Sequence, residues 1–309
     1  MRVLVTGASG HLGSAIVPEL IAAGHEVIGL ARSDAAAAAV TTLGASVRRG
    51  SLEDLDGIRQ AAADSDGVIH LAFNHEQMRS GDFAAAAATD LAVVHALGDA
   101  LAGTGKPLVG TSGTLAVANL GRPATEDDPG APGPRIDAEN AVIGFAGRDI
   151  RSSVVRVPPI THSMLDRHGF ARVLIGIARQ AGVAGYAGDG ANRWPAGHTL
   201  DVAHLYRLAL EDAPAGTRLH AAGDDGLPIR EIAQSIGDHL GLPAASIPAG
   251  RLAAHFGFLA PLIVLDNPVT TVATRKILGW EPAHPGLLAD FDEGDYFTAS
   301  SPHSERSLT

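Results

Sequence analysis

Cysteine is absent from the 309 residues, which excludes disulfides, thiolate nucleophiles and cysteine-ligated metals together. Charge is scarce as well, at 18% of residues against 46% hydrophobic. A chain of that balance orders most of its length. Basic residues are the scarcer sign: 23 Lys and Arg stand against 34 Asp and Glu, for a net charge of −11. Such a chain is a poor partner for nucleic acid or an acidic membrane surface. Long uncharged apolar stretches are missing; the longest read, 256–265, falls short of the roughly 20 residues that cross a bilayer. Met1 and Arg2 lead straight into an apolar segment, so no signal peptide is expected. These features together predict a soluble, cytoplasmic protein. Its length suits two lobes on one extended core, with boundaries near 1–160 and 161–297 and a polar, frayed tail at 298–309.

What is present is concentrated at the start. Thr6-Gly7-Ala8-Ser9-Gly10-His11-Leu12-Gly13 lies between Val3-Leu4-Val5 and a helical pattern of Ile16, Val17, Leu20 and Ile21. The order is strand, glycine turn, helix. Gly7 permits a tight turn, Gly10 lets a pyrophosphate approach the backbone, and Gly13 lets the helix pack closely on the strand. The helix amino terminus then faces the phosphates with free amides. In this context, directly after a first strand, the pattern points to a bound dinucleotide, with Ser9, His11 and Leu12 completing the turn.

Alternation continues through the first half. Strands are expected at Val3–Thr6, Glu26–Leu30, Ser46–Arg49, Gly67–Leu71, Pro107–Thr111 and Ser152–Val157. Helices are expected at His11–Ala23, Asp34–Leu43, Leu52–Ala63, Asp82–Ala102 and Ile136–Gly147. Short apolar strands separated by helices imply a parallel sheet covered on both faces. The fold class is therefore α/β, a Rossmann-type doubly wound parallel sheet with a smaller C-terminal substrate lobe. Residues near 198–212 are expected to pack back on the first domain, and helices are expected from Pro228 to Leu240 and from Thr270 to Leu278.

The second strand decides the nucleotide. A carboxylate at its end binds the ribose 2′-hydroxyl of NAD, whereas an arginine nearby accommodates the 2′-phosphate of NADP. Here the strand ends Ala31-Arg32-Ser33. Arg32 offers a bidentate fork and Ser33 a hydroxyl, so NADP is preferred and NAD stays possible through Asp34. Ser51, Leu52, Leu71, Ala72 and Phe73 stand at the ends of the third and fourth strands, where adenine and ribose lie in such folds. Plain packing is the other reading of each.

With these residues assigned, the chain resembles the extended short-chain dehydrogenase/reductase family, the group of NAD-dependent epimerases and dehydratases. Later segments resemble it too: His198-Thr199-Leu200-Asp201-Val202-Ala203, Ile229-Arg230-Glu231-Ile232-Ala233 and Leu278-Gly279-Trp280-Glu281-Pro282. The resemblance implies that Val157 and Pro158 meet the nicotinamide amide. It also implies a catalytic Ser or Thr after the fifth strand, where Ser112 is favoured over Gly113 and Thr114. A Tyr-x-x-x-Lys should follow on the next helix. That motif is missing. The three tyrosines are Tyr186, Tyr206 and Tyr296, all beyond the sixth strand, and Arg135-Ile136-Asp137-Ala138-Glu139 occupies the expected place. The departure resembles that of atypical family members, which keep the cofactor site and lose the usual tetrad.

Arg135 is too basic to donate a proton at neutral pH, but its fork can polarise a carbonyl or hold an anion. Glu139 is expected to take the nicotinamide ribose in place of the lysine. The alternative for both is an i,i+4 surface pair. The proton then comes from water or from a histidine, with His162 and His75 best placed. Trp194 either walls a substrate pocket or anchors a packed loop, and Arg167, Arg172 and Arg179 hint at a nucleotide-sugar pocket. His162, Asp166 and His168 lack a metal-ligand spacing, so no metal is expected. The leading expectation is an NADP(H)-dependent reductase of a small carbonyl or related unsaturated substrate, acting as a homodimer. The alternatives are a non-catalytic NADP-binding sensor and a sugar-nucleotide epimerase or dehydratase.

Overall fold

The computed structural model describes residues 1–74, 82–130 and 132–298. His75 and most of the tail lie outside the described residues. Six strands alternating with five helices open the described chain. Strands β1 (Arg2–Thr6), β2 (Glu26–Ala31), β3 (Ser46–Arg49), β4 (Gly67–His70), β5 (Pro107–Gly113) and β6 (Arg151–Val157) alternate with helices α1 (His11–Ala22), α2 (Asp34–Thr42), α3 (Leu55–Ala63), α4 (Phe83–Leu101) and α5 (Pro134–Gly144). A seventh strand, β10 (Thr217–His220), joins beyond β6, and the spatial order is β10-β6-β5-β4-β1-β2-β3. Every pairing in this sheet is parallel.

Side chains on a strand alternate between faces, and β1 shows why both faces are covered. Val3 and Val5 enter one core with Ile16, Val17 and Leu20 of α1. Leu4 enters the other with Ile58, Val93, Leu97 and Val142 from α3, α4 and α5. The Ala-rich helix α4 is long and apolar enough to cross a membrane by length and composition alone, unlike the run at 256–265. Half of it is buried, against α3 and α5, which marks it as a core helix.

The remaining strands are β7 (Ile160–His162), β8 (Ala184–Ala187), β9 (Arg193–His198), β11 (Asp224–Pro228) and β12 (Ala244–Ile247). The remaining helices are α6 (Phe170–Ala181), α7 (Thr199–Asp212), α8 (Ile229–Leu240), α9 (Leu252–Phe256), α10 (Val272–Leu278) and α11 (Leu287–Glu293). Sheets β11-β9-β7 and β12-β8, with α6, α8, α9 and α11, surround a second core of Leu174, Trp194, Ile232, Phe256 and Phe291. The return to the first domain is longer than 198–212. It carries α7, whose Leu205, Tyr206 and Leu210 pack with α1, and then β10. Four residues, Thr-Arg-Leu-His, gave that strand no apolar run to be read by.

Candidate functional site

The glycine turn sits at the carboxyl edge of β1. Gly7 adopts φ +70°, and a Cβ there would stand 2.9 Å from the backbone nitrogen of Ala72, so the turn lies against the end of β4. A Cβ on Gly13 would stand 2.4 Å from the carbonyl oxygen of Gly7 and 2.5 Å from that of Ala8. Only glycine allows α1 this close to the turn. Gly10 caps α1 with no side-chain hydrogen bond, and Ser9 and Gly10 are exposed. The helix terminus is thus open, and its orphan amides and positive dipole end suit a diphosphate. These residues fit a dinucleotide phosphate without rearrangement.

At the adenosine end, Arg32 and Ser33 are exposed. Ser33 Oγ caps α2 by accepting from Ala36 N at 3.2 Å. A second arginine, Arg49 at the end of β3, donates to Ser33 O and to Asp34 Oδ1, both at 2.6 Å. The carboxylate of Asp34, which follows the end of β2, is thereby engaged. Ser51 lies beside Glu53, whose carboxyl is held low first by the Ser51 hydroxyl and also by the charge of Arg32. Leu52 packs into the core behind α3 and α4.

The end of β4 builds a second cluster. Thr6 Oγ1 accepts from Leu71 N and Ala72 N, each at 3.2 Å, and lies 2.7 Å from His70 Nδ1. His70 Nε2 lies 3.1 Å from Asp90 Oδ1. Asp90 Oδ2 accepts from Arg135 Nη1 at 2.8 Å. Arg135 also lies with its guanidinium 4.3 Å from the centre of the Phe73 ring. Burial alone would push the Asp90 carboxyl up; the His70 hydrogen bond and the Arg135 charge outweigh it and hold it low. Arg135 is the member of this chain that reaches the surface, with 27% of its side chain exposed. It is not a free surface residue paired with Glu139.

Two expected site residues go elsewhere. Gly110 of β5 faces Val142 of α5; Ser112, two residues on, shares that face. It is 1% exposed and stands in register with Arg156, beneath α5 and away from the crevice. Glu139 is likewise swallowed. Its side chain is fully buried between Arg156 and Arg218, which both donate to it. Burial raises this carboxyl, but Arg156 more than reverses the effect and leaves it low. Glu139 is held by two guanidiniums and is not presented to a nicotinamide ribose. The hydroxyls on either side of Ser112 are taken: Thr111 Oγ1 bonds His70 O and Tyr206 OH, and Thr114, just after β5, donates to Asn267. Tyr206 is fully buried, which raises its phenol.

The second lobe reaches the glycine turn through His11. His11 Nε2 lies 2.9 Å from Thr199 Oγ1, which also accepts from Ser163 Oγ at 2.9 Å and donates to His162 O. His162 Nδ1 lies 2.8 Å from Asp290 Oδ2, a carboxylate orienter that the sequence hid 128 residues away. Nε2 of His162 is buried and has no hydrogen-bond partner among the described residues. Val157 packs on the first core, and Pro158 lies against Gly197. Among the described residues, no hydrogen bond, ion pair or ring contact joins His162 to Arg135.

His198, Asp201 and His284 lie within reach of one another, but the geometry disfavours a shared ion. The His198 and His284 rings stack with centroids 4.5 Å apart and 6° between planes, so their in-plane lone pairs do not converge. Asp201 is already spent on Ala283 N, His284 N and His284 Nδ1, while its backbone oxygen takes Trp280 Nε1. This locks the late His-x-x-Asp and Leu-Gly-Trp segments together. Trp194 is core, fully buried against Phe170. Arg172 and Arg179 pin the segment at Asp295 and Phe297.

Burial first, and then His162 and His284, depress His198 to about 4. His11 and His220 are lowered chiefly by burial as well. The unfolded chain therefore binds protons between about pH 6.5 and 4 that the fold refuses, and stability falls as pH drops through that window. With half-buried groups discounted for screening, His198 contributes about 1–2 kcal/mol of the loss. Melting curves across pH 4–7 should show the decline, and His198→Gln should flatten it; an unchanged slope contradicts this.

Asp90, His70, Asp290 and Arg49 escaped the sequence reading. For Asp90 a signal existed: it occupies the stripe of Ala86, Ala87, Val93, Val94 and Leu97, the buried face of α4. An acid on such a stripe requires a partner.

The model of the NAD dependent epimerase/dehydratase family matches residues 3–135. An uncharacterized protein of Schizosaccharomyces pombe is 42% identical over 299 residues, covering 96% of this chain and all of that one. The 4-hydroxy-2-methyl-3-oxo-4-farnesyl-3,4-dihydroquinoline-1-oxide ketoreductase of Stigmatella aurantiaca is 28% identical, with 83% and 80% covered. Among solved structures, a UDP-glucuronic acid 4-epimerase from Bacillus cereus, in complex with UDP-glucuronic acid and NAD, superposes with a TM-score of 0.74 at 17% identity, covering 96% and 98%.

Proposed function

The chain belongs to the NAD dependent epimerase/dehydratase family of extended short-chain dehydrogenases/reductases, and on that premise we propose that it is an NADP(H)-dependent reductase of a carbonyl substrate. The observation that carries the reading is Arg135, braced by Asp90 and Phe73 beside the glycine turn where the family's tyrosine is missing. The similarity to a ketoreductase over most of both chains supports it.

A bound nicotinamide dinucleotide supplies the hydride. The chain's own residues do the rest. The amides at the start of α1 hold the diphosphate. Arg135 donates N–H to the carbonyl oxygen and stabilises the charge that gathers there as the carbon is reduced. We assign the proton for that oxygen to water, because the Nε2 of His162 is buried and its Nδ1 is held by Asp290. The products are the alcohol and the oxidised coenzyme. Mixing the protein with NADPH and a panel of ketones and aldehydes tests this. Substrate-dependent loss of absorbance at 340 nm is expected; coenzyme binding with no loss on any carbonyl favours the sensor reading, which the burial of Ser112 and Glu139 recommends.

Arg32 and Arg49 support NADP over NAD, because the nearby Asp34 is tied to Arg49. Charge-assisted phosphate contacts are about 1.5–3 kcal/mol each, so Arg32→Ala should weaken NADPH binding about tenfold or more and leave NADH within about twofold. Equal losses for both coenzymes would contradict the assignment.

A further inference from the structure

A buried polar cluster stands behind Arg135. Thr6 Oγ1 accepts from Leu71 N and Ala72 N and lies 2.7 Å from His70 Nδ1. His70 Nε2 in turn lies 3.1 Å from Asp90 Oδ1. Asp90 is the anion of the cluster and Arg135 its cation, 2.8 Å apart. The pair has no net charge. An arginine in the first turn of α5 also opposes the helix dipole, and Asp90 offsets this. What reaches the crevice is a set of fixed N–H donors whose positive charge is cancelled from behind.

The surroundings are apolar. Phe73 lies under the guanidinium and Phe83 beside it, 42% exposed with ring centres 6.2 Å apart. Across the glycine turn, Met164, Leu165 and Leu200 are exposed at 65%, 37% and 41%. Leu200 directly follows Thr199, which contacts His11, and Met164 follows Ser163, which donates to Thr199. Exposed apolar residues around a few convergent donors mark a site for an apolar ligand. The net charge of −11 opposes an anionic one.

We propose that the site takes an uncharged carbonyl compound with an apolar body, and that Asp90 is the positioning residue that enforces this by neutralising Arg135. The proposal rests on the reductase reading and names its substrate class. It sets the chain apart from the structurally similar epimerase, whose complex holds UDP-glucuronic acid.

The test compares benzaldehyde with 4-formylbenzoate, which differ by one carboxylate, using the NADPH-loaded protein. Wild type should show kcat/KM for benzaldehyde about tenfold or more above that for 4-formylbenzoate. Asp90→Asn unmasks the Arg135 charge. It should bring the ratio to parity or below through a lower KM for the acid, with NADPH affinity unchanged, while Asp90→Glu keeps the wild-type order. Parity or preference for the carboxylate in wild type overturns the proposal, as does an unmoved ratio in a folded Asp90→Asn protein. If neither variant folds, the wild-type ratio decides. If neither aldehyde is reduced, saturation-transfer NMR on the NADP-loaded protein separates the two ideas. Preferential contact with benzaldehyde supports the substrate class while the reductase reading falls. Equal contact, or none, overturns both.

Discussion

Gly13→Val should abolish dinucleotide binding. The new Cβ would meet two backbone carbonyl oxygens, of Gly7 and Ala8, at 2.4 and 2.5 Å, distances no real Cβ tolerates. Valine adds two methyls to that clash. Neither oxygen is the tip of a flexible side chain, so α1 must retreat or the turn must open, and either change spoils the amide cradle. Overpacking of this kind costs about 1–3 kcal/mol, less than the stability of a typical domain. The protein should therefore fold with a lower melting temperature yet lose NADPH affinity by about 100-fold or more, or about 2.7 kcal/mol. Gly176→Ala serves as the control: nothing lies within 4 Å of its new methyl, α6 gains helix propensity, and binding should not change. A folded Gly13→Val protein with wild-type affinity would sink the cradle.

Arg135→Ala should be the second largest effect, and on turnover more than on coenzyme affinity. Loss of a preorganised donor at a developing oxyanion costs about 10²–10³ in rate, so kcat/KM should fall by that factor while NADPH binding stays within about twofold. Arg135→Lys should not restore it. A lysine cannot hold Asp90, stack on Phe73 and still donate into the crevice, which the planar fork does. Stability falls too, because Asp90 is 4% exposed and loses its cation; breaking a buried pair is worth up to about 3–5 kcal/mol. Unchanged turnover in a folded Arg135→Ala protein would remove arginine from the mechanism.

The α/β architecture was legible because, β3 apart, β1 to β6 are short apolar runs punctuated by glycine and capped helices, and their edges move by a residue or two at most places. β10 was not legible: its pairing with β6 comes from α7 carrying the chain back, not from its own four residues. The glycine turn and its helix were readable because local spacing makes them. The chemical half of the site was not. Ser112 and Glu139 were chosen by position along the chain, whereas strand alternation turned the one beneath α5 and two arginines, one of them more than 70 residues downstream, claimed the other. Arg135 was readable as present and unreadable as braced, since Asp90 lies 45 residues earlier on another helix.

Isothermal titration calorimetry with NADP+ and NADPH tests the central claim most directly. Saturable single-site binding that disappears in Gly13→Val is the expected result. The absence of heat with both coenzymes, or equal heat in a folded Gly13→Val protein, would contradict it.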